Sequence, residues 1–519
     1  MMSVARGTMS ASLAPASTRP PQASAWPLYP SVYEINTWVW LAELSKKHTQ
    51  LITLSSVPAA EWDALAAYGF DAVWLMGVWQ RSPAGIAIAN ANQGLLADFH
   101  RALPDFRPDD NVGSPYCIRN YVADQHLGGP EGLAAARAEL SKRGMNLILD
   151  FVPNHIALDH PWVAQHPEYL IRGNPNDIHN DPSSYIEDGG TIFALGRDPY
   201  FPAWPDVVQL NAFAPGLRQA ALETLSSIAA QCDGIRCDMA MLMTNQVFAR
   251  TWSGRTGPAP DAEFWPAVLG KLRARHPETV MIAEAYWDME WQLQQLGFDF
   301  CYDKKLYDRL ERKNDAESIR LHLSADPSYL RKLVRFIENH DEPRTATAFT
   351  PEQQQAAAVT IATLPGIKLF HEGQFEGRTI RLPVFLARRP PEPVDQGLEH
   401  FYKKLLAAID KPLFRDGQWS LCERTGWPDN TTHQNLVAWS WIRDTERSLI
   451  IVNLSDTPSQ GNVKLPWPDA GNGAWHLLDA LSGARYERDG DHLQSPGLYV
   501  KLGPWQYHFF EMRAWDKTV

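Results

Sequence analysis

Between residues 30 and 410 the chain alternates eight times between short apolar or β-branched runs and stretches with helical periodicity. Few folds can use such a rhythm. The strand-like runs are "SVYEINTWVW" (31–40), "DAVWLM" (71–76), "NLILDF" (146–151), "GIRCD" (234–238), "VMIAEA" (280–285), "DFCYDK" (299–304), "LVRFIENH" (333–340) and "IKLFHEG" (367–373). Between them apolar residues recur at steps of three and four, as in Leu217, Ala221, Leu225 and Ile228, or Trp265, Val268, Leu269 and Leu272. The stretch "EGLAAARAELSKRG" (131–144) ends on a glycine, as helices often do. Strands separated by helices imply a parallel sheet, and eight such units predict an α/β fold of the closed (β/α)8 TIM-barrel type. A doubly wound open sheet is the competing arrangement.

One gap breaks the rhythm. More than 80 residues separate the third and fourth strands, and 156–207 within them are rich in Pro, Asn, Asp and Gly. This predicts a small subdomain inserted after strand 3, able to wall one side of a cleft. Its Trp162, Tyr169 and Trp204 argue against a floppy insertion. After about 411 the texture changes to strand-like runs at short spacing: "LVAWSWI" (436–442), "SLIIVNL" (448–454), "AWHLLDALSG" (474–483), "GLYVKL" (497–502) and "WQYHFFEM" (505–512). These predict a C-terminal antiparallel β-sandwich. The expected division is a disordered tail over 1–27, the barrel over 28–155 and 208–410, the inserted subdomain over 156–207 and the sandwich over 411–519.

Composition narrows the function classes. Asp and Glu outnumber Lys and Arg by 60 to 48, a net charge of −12, which argues against nucleic acid or an anionic membrane as partner. No apolar run approaches the roughly 20 residues that span a bilayer. Five cysteines make no even framework and point to reduced thiols in the cytoplasm. The first 26 residues, rich in Ser, Ala and Pro, lack the apolar core of a secretory signal. The 20 tryptophans, 16 tyrosines and 20 phenylalanines fit a large core, with some rings available to line a cleft for flat, hydroxyl-rich ligands such as sugars.

Polar residues gather at the C-terminal strand ends, where such barrels do their chemistry. The third strand ends in Asp150, Asn154 and His155, the fourth in Arg236 and Asp238, the fifth in Glu284, and the seventh in Asn339, His340, Asp341 and Arg344. Arg236 and Asp238, two apart, share one face of an otherwise apolar strand. A buried ion pair rarely stabilises better than hydrophobes of the same volume, so the pair marks either an accident or a site. Three carboxylates on three strands imply acid/base or nucleophilic chemistry on a neutral polyol, or a divalent metal site.

The stretches "DFVPNH", "GIRCDMAML", "IAEAYWD" and "FIENHD" resemble the four signature regions of the α-amylase superfamily, glycoside hydrolase family 13, in order and on strands 3, 4, 5 and 7. The resemblance implies Asp238 as nucleophile, Glu284 as general acid/base and Asp341 as the carboxylate that stabilises the transition state. It implies substrate-binding or orienting roles for Arg236, His155 and His340, with Tyr286 and Trp287 in the matching stretches and Arg344 just past the last of them. "GSPYCIRNY" (113–121) resembles the segment whose first Tyr, here Tyr116, stacks on the sugar at the cleaved bond. On this reading Arg236 should keep Asp238 ionised by lowering its pKa, and the apolar setting of Glu284 should raise its own.

The chain also departs from that pattern. After the nucleophile, "MAMLM" (239–243) replaces the Lys-His pair of endo-acting amylases. Gln209 in "PDVVQLN" falls where the superfamily often has a calcium-binding Asp, although Asn154 of that site remains. The expectation is therefore no cofactor, with a structural calcium kept as the lesser alternative. Arg378, Arg381, Arg388 and Arg389, after strand 8, read as a solvated loop pairing with surplus acids, with a pocket for an anionic acceptor as the alternative. The expected activity is retaining hydrolysis of short α-linked gluco-oligosaccharides through a covalent glycosyl–Asp238 intermediate, of α-amylase or α-glucosidase type. Transglycosylation, a catalytically inactive sugar-binding relative and a metal-dependent hydrolase are the alternatives.

Overall fold

The structure, a computed structural model, describes residues 26–471 and 473–514. Most of the predicted tail lies outside the described residues. Eight parallel strands close into a barrel: Ser31–Asn36 (β1), Ala72–Met76 (β2), Asn146–Phe151 (β3), Gly234–Cys237 (β4), Val280–Ala283 (β5), Phe300–Tyr302 (β6), Leu333–Arg335 (β7) and Ile367–His371 (β8). Each pairs with its neighbours in sequence, and β8 returns to β1. The open-sheet alternative is thereby excluded.

Several strands are shorter than their apolar runs predict. The first run turns helical at Thr37 because the Asn36 side chain accepts the Val39 N–H at 3.5 Å and caps the helix Thr37–His48. β7 stops at Arg335, and 336–340 form a loop over the barrel mouth. There the Asn339 side chain accepts the N–H groups of Asp341 and Glu342, both at 2.9 Å, a local turn that aims Asp341. Asp238 and Glu284 each lie one residue past a strand but stay on the ladder, their N–H groups donating to the carbonyls of Phe151 at 2.9 Å and Cys237 at 3.0 Å.

Two excursions wall the mouth. The one after β3 stands on an antiparallel neck, His155–Ala157 against Val207–Gln209, and carries the hairpin Tyr185–Asp188 with Thr191–Ala194. Ile156, Leu170, Phe193, Val208 and Leu210 give it a small core. The other, after β2, was not expected from the sequence. It pairs Trp79–Arg81 with Ile118–Ala123, adds helices Pro83–Ala91 and Gln93–Ala102, and packs Phe99 and Leu103 against Leu386 of the loop after β8. Its periodic segment is as short as an ordinary barrel helix, so nothing local distinguishes it.

Beyond the barrel, strands Gln418–Leu421, Leu436–Arg443, Glu446–Asn453, Tyr507–Ala514, Ala474–Asp479 and Arg485–Asp489 form one antiparallel sheet in that spatial order. Glu423–Thr425, Ser459–Lys464 and Leu498–Leu502 form a second. Their inner faces meet through Leu436, Leu449, Val463, Leu477, Leu498, Val500 and Phe510. The Trp439 and Trp441 indoles donate to Thr363 Oγ1 at 3.2 Å and the Thr363 carbonyl at 2.7 Å, docking the sheet on a barrel helix. These two rings, with Trp62, Trp79 and Trp265, serve the core rather than a cleft.

Candidate active site

The pleat decides which side chains enter the barrel. Arg236 on β4 is paired in register with Asp150 on β3, so both point inward from adjacent strands. Arg236 is 1% exposed, and its guanidinium becomes the hub of the site. Nη1 lies 2.9 Å from Asp238 Oδ1 and 3.5 Å from Asp150 Oδ1, while Nη2 lies 2.9 Å from Glu284 Oε2. The rings of Tyr116, Trp74 and Tyr302 surround it with centroids at 5.2, 5.3 and 5.7 Å. Burial works against its charge, but Glu284, the phenols and Asp238 outweigh it and keep the guanidinium firmly protonated. The Arg236–Asp238 pair of the sequence is thus a four-membered cluster with one cation.

That surplus of carboxylates governs protonation. Burial raises Asp150 to about 6 against the pull of Arg236, although the Trp74 indole also donates to it at 3.0 Å. Asp238 is likewise raised to about 6, because burial and the charges of Asp341 and Asp150 outweigh Arg236. The sequence reading expected the opposite sign. One guanidinium shared among three carboxylates in a water-poor site cannot hold each of them low.

Glu284 goes higher still, to about 7, from burial first and then from Asp238 and Asp341. Its setting is polar as well as buried. Oε2 accepts the Met239 N–H at 2.6 Å and Oε1 accepts the Tyr286 hydroxyl at 3.0 Å. Met239 can point its N–H there because its backbone is left-handed, at φ 41°, a conformation that costs a non-glycine residue about 1–3 kcal/mol. The residue after Asp238 therefore tethers the adjacent carboxyl of Glu284.

On the opposite wall, His340 Nδ1 pairs with Glu34 of β1, and Nε2 lies 2.9 Å from Asp341 Oδ2. Burial opposes a charge on this ring, but Asp341 and Glu34 raise its pKa well above the usual range, so it stands as imidazolium. Burial would raise Asp341, but the His340 charge and hydrogen bond hold it at about 2. The Asp341 side chain is 42% exposed, against 7% for Asp238 and 3% for Glu284, so it presents an ionised carboxylate to the open mouth. Tyr116 stacks on His340 and shares a 2.7 Å hydrogen bond with Nε2.

Most of the expected site residues therefore converge: Asp238, Glu284, Asp341, Arg236, His340, Tyr116 and Tyr286 share one mouth. His155 starts the neck strand of the inserted subdomain, packed on Trp204 at 5.0 Å, and burial lowers its pKa to about 3, leaving it neutral. Trp287 lies at the rim of the mouth. Arg344 lies beside His340. Its guanidinium binds Glu338, the Glu372 carbonyl at 2.8 Å, His371 Nδ1 at 3.0 Å and, through Nε, the Ile380 carbonyl at 3.3 Å. These contacts brace the loops after β7 and β8, and Arg344 lines a small hollow with His340 and Arg381.

Sequence reasoning missed Glu34, Trp74 and Tyr302 and gave Asp150 no role. All four lie on predicted strands, but only the barrel's closure brings them to Arg236 and His340. Of the four arginines after β8, Arg388 binds Asp105 and Asp110, Arg389 binds Glu372, and both Arg378 and Arg389 reach Glu43. Arg381 lines a hollow of about 430 Å³ with Asp341, Phe99 and Phe385.

The residues at the superfamily's calcium position do not fit the ion. Gln209 Nε2 donates to the Asn154 carbonyl, to Asn154 Oδ1 and to the Leu210 carbonyl, each at 2.9 Å. The Arg197 N–H donates to Gln209 Oε1 at 3.3 Å, which fixes the amide's orientation. Oxygens that would ligate a cation are turned onto an uncharged amide nitrogen. Among the described residues no group of three or more His, Cys, Asp or Glu side chains is arranged to hold a metal ion.

Fold and site define a class: a (β/α)8 barrel with three carboxylates around one arginine at its C-terminal mouth. The family model described as "Alpha amylase, catalytic domain" matches residues 61–433, and the chain belongs to that family as an α-amylase-family enzyme. It is 24% identical over 467 residues to "Alpha-amylase MalA" of Haloarcula japonica, covering 87% of this chain and 59% of that protein. It is 29% identical over 255 residues to the "Alpha-1,4-glucan:maltose-1-phosphate maltosyltransferase" of Rhodospirillum rubrum, covering 47% of this chain and 30% of that one. The chain thus spans well under two thirds of the curated relatives it matches. The noncanonic maltogenic α-amylase AmyB from Thermotoga neapolitana superposes with a TM-score of 0.65 at 19% identity, covering 94% of this chain and 99% of that one.

Proposed function

We infer that the enzyme is a retaining glycoside hydrolase acting on short α-linked gluco-oligosaccharides by double displacement. One observation carries the reading. A single guanidinium grips both Asp238 and Glu284 at 2.9 Å, which favours the short carboxyl separation, about 5–5.5 Å, that a retaining mechanism needs over the wider gap of an inverting one. The ionised Asp238 oxygen attacks C1 as the glycosidic C1–O bond breaks, and Glu284 gives its proton to the departing oxygen. Glu284, now a carboxylate, takes a proton from the acceptor hydroxyl as that oxygen attacks C1 and releases Asp238. Asp341, ionised and exposed, accepts hydrogen bonds from ring hydroxyls that strengthen as the ring flattens. His340 and Tyr116 set the floor on which that ring rests.

Transfer to a second sugar is the alternative reading, favoured by the maltosyltransferases among the relatives, because only the acceptor in the second step differs. The five cysteines, all buried and unpaired, support a reducing cytoplasmic setting, and the Gln209 amide supports function without calcium. Incubation with maltose, maltotriose, starch, sucrose, trehalose and isomaltose, followed by NMR, tests the assignment. An α-configured first product is expected. A β-configured one, or no turnover of any α-glucoside, refutes it, and longer or rearranged sugars assign transfer.

A further inference from the structure

We propose that the hollow beside Asp341 is a subsite for a second glucose unit on the transferred side of the cleaved bond, and that Arg381 selects substrates that carry it. The proposal rests on the α-glucoside reading above and names the glycosyl side of the same site. Glu284 protonates the departing oxygen, so the leaving group lies on the wall that Glu284 shares with Met239 and Tyr286. Asp341 stands on the opposite wall, and of the three carboxylates it is the one that lines this hollow. A sugar joined to the far end of the ring held by Asp341, His340 and Tyr116 therefore enters here. The hollow runs between the helix Gln93–Ala102 and the segment 379–385, and its volume of about 430 Å³ takes a short extension rather than a long chain.

The lining suits a neutral, hydroxyl-rich ring. Four charged side chains face the hollow, two of each sign: Asp98, Arg101, Asp341 and Arg381. An anionic group therefore gains no advantage there over a neutral one. Asp98 and Arg101 pair with each other at 2.7 Å, and the Thr379 hydroxyl donates to Glu392 at 2.9 Å. Arg381 is different. It is exposed and, alone of the four arginines after β8, makes no ion pair or hydrogen bond among the described residues. Its charge still reaches Asp341 and adds to the pull of His340 on that carboxyl. The backbone that carries it is pinned on both sides. The Thr379 N–H donates to Glu392 at 2.7 Å, the Ile380 carbonyl accepts Arg344 Nε at 3.3 Å, and the Val384 carbonyl accepts Arg81 Nη1 at 3.3 Å. A guanidinium with unspent donors thus stands on a fixed segment beside an ionised acceptor, so a sugar hydroxyl finds both kinds of partner without reordering the loop. Leu95, Ile380 and Phe385, all half-buried, offer apolar surface to the C–H face of the same ring.

The test compares kcat/KM of the full chain on 4-nitrophenyl α-maltoside and 4-nitrophenyl α-glucoside, read as direct release of 4-nitrophenol. The two share one leaving group, so their ratio reports the added glucose alone. The maltoside is expected to exceed the glucoside by about tenfold or more, as one hydrogen bond to a charged group can supply. Arg381→Ala, at an exposed position, should cut that ratio by about fivefold or more. A ratio near one, or glucose and the aryl glucoside as first products from the maltoside, overturns the subsite and leaves the α-glucoside reading intact. So does a high ratio that Arg381→Ala does not change. A parallel fall on both substrates assigns Arg381 to the charge of Asp341 alone and also overturns the proposal. Absence of turnover on both removes the underlying activity, and the subsite with it.

Discussion

Replacing Asp238 by Asn separates what this carboxylate does for catalysis from what it does to the fold. In the folded protein its pKa is raised from 3.8 to about 6, so the native state holds its proton more tightly than the unfolded chain does. Stability from this group is therefore fully present below pH 4 and is lost as pH climbs through 6. At about 1.4 kcal/mol per pH unit, the loss at neutral pH is about 3 kcal/mol, shared with the neighbouring Glu284. An Asn does not titrate and avoids it. Arg236 is not orphaned by the change, since Glu284 at 2.9 Å and Asp150 at 3.5 Å remain. With about 2.1 cal/mol/K of unfolding entropy per residue over 519 residues, 3 kcal/mol corresponds to about 3 °C. Thermal unfolding at pH 7.5 should thus show the variant about 3 °C above the natural protein, with no advantage near pH 4. Turnover of an aryl α-glucoside should fall by about 10⁴-fold or more. A variant that melts lower at pH 7.5, by a margin that shrinks toward pH 4 and below, would show that the ion pair, not burial, sets the energy of Asp238. Retained activity would refute its role as nucleophile.

Three further outcomes follow from the carboxylate cluster and from Gln209. The pH profile of kcat/KM should be a narrow bell, with an acid limb near 6 where Asp238 must ionise and an alkaline limb near 7 where Glu284 loses its proton, the values belonging to the coupled pair; a plateau from pH 5 to 9 would contradict this assignment. Melting should be the same in chelator and in millimolar calcium chloride, whereas Gln209→Ala, which removes the amide donor from Asn154 Oδ1 and the Leu210 carbonyl, should lose about 1–3 kcal/mol of stability. A calcium-dependent rise in the melting temperature of the natural protein would overturn that reading of Gln209.

What the linear chain determined about this protein is what local physics can encode. Apolar runs of strand length, spaced by helical periodicity, specify eight βα units, and eight units close. Because active groups in such a barrel stand at C-terminal strand ends, Asp238, Glu284 and Asp341 could be named before any of them had a position in space. The alternation of Ile235, Cys237 and Met239 with Arg236 and Asp238 put the last two on one face, and the structure agrees.

Tertiary structure alone decided the rest. Glu34 reaches His340 across 306 residues and joins Asp341 in raising the pKa of that histidine, whose charge in turn holds Asp341 ionised. Asp238 titrates high, against the expectation from its neighbouring arginine, because burial in the closed barrel, with the charges of Asp341 and Asp150 from other strands, outweighs that arginine. Arg344 could be named from its place just past Asp341, but its partners Glu338 and the loop after β8 appear only in the fold. The excursion after β2 has no local signature, since its packing partner Leu386 lies far along the chain. Periodicity and turn chemistry act over a few residues and can be read from them. Charge state depends on burial and on the sum of all nearby charges, and only the closed barrel determines which charges those are.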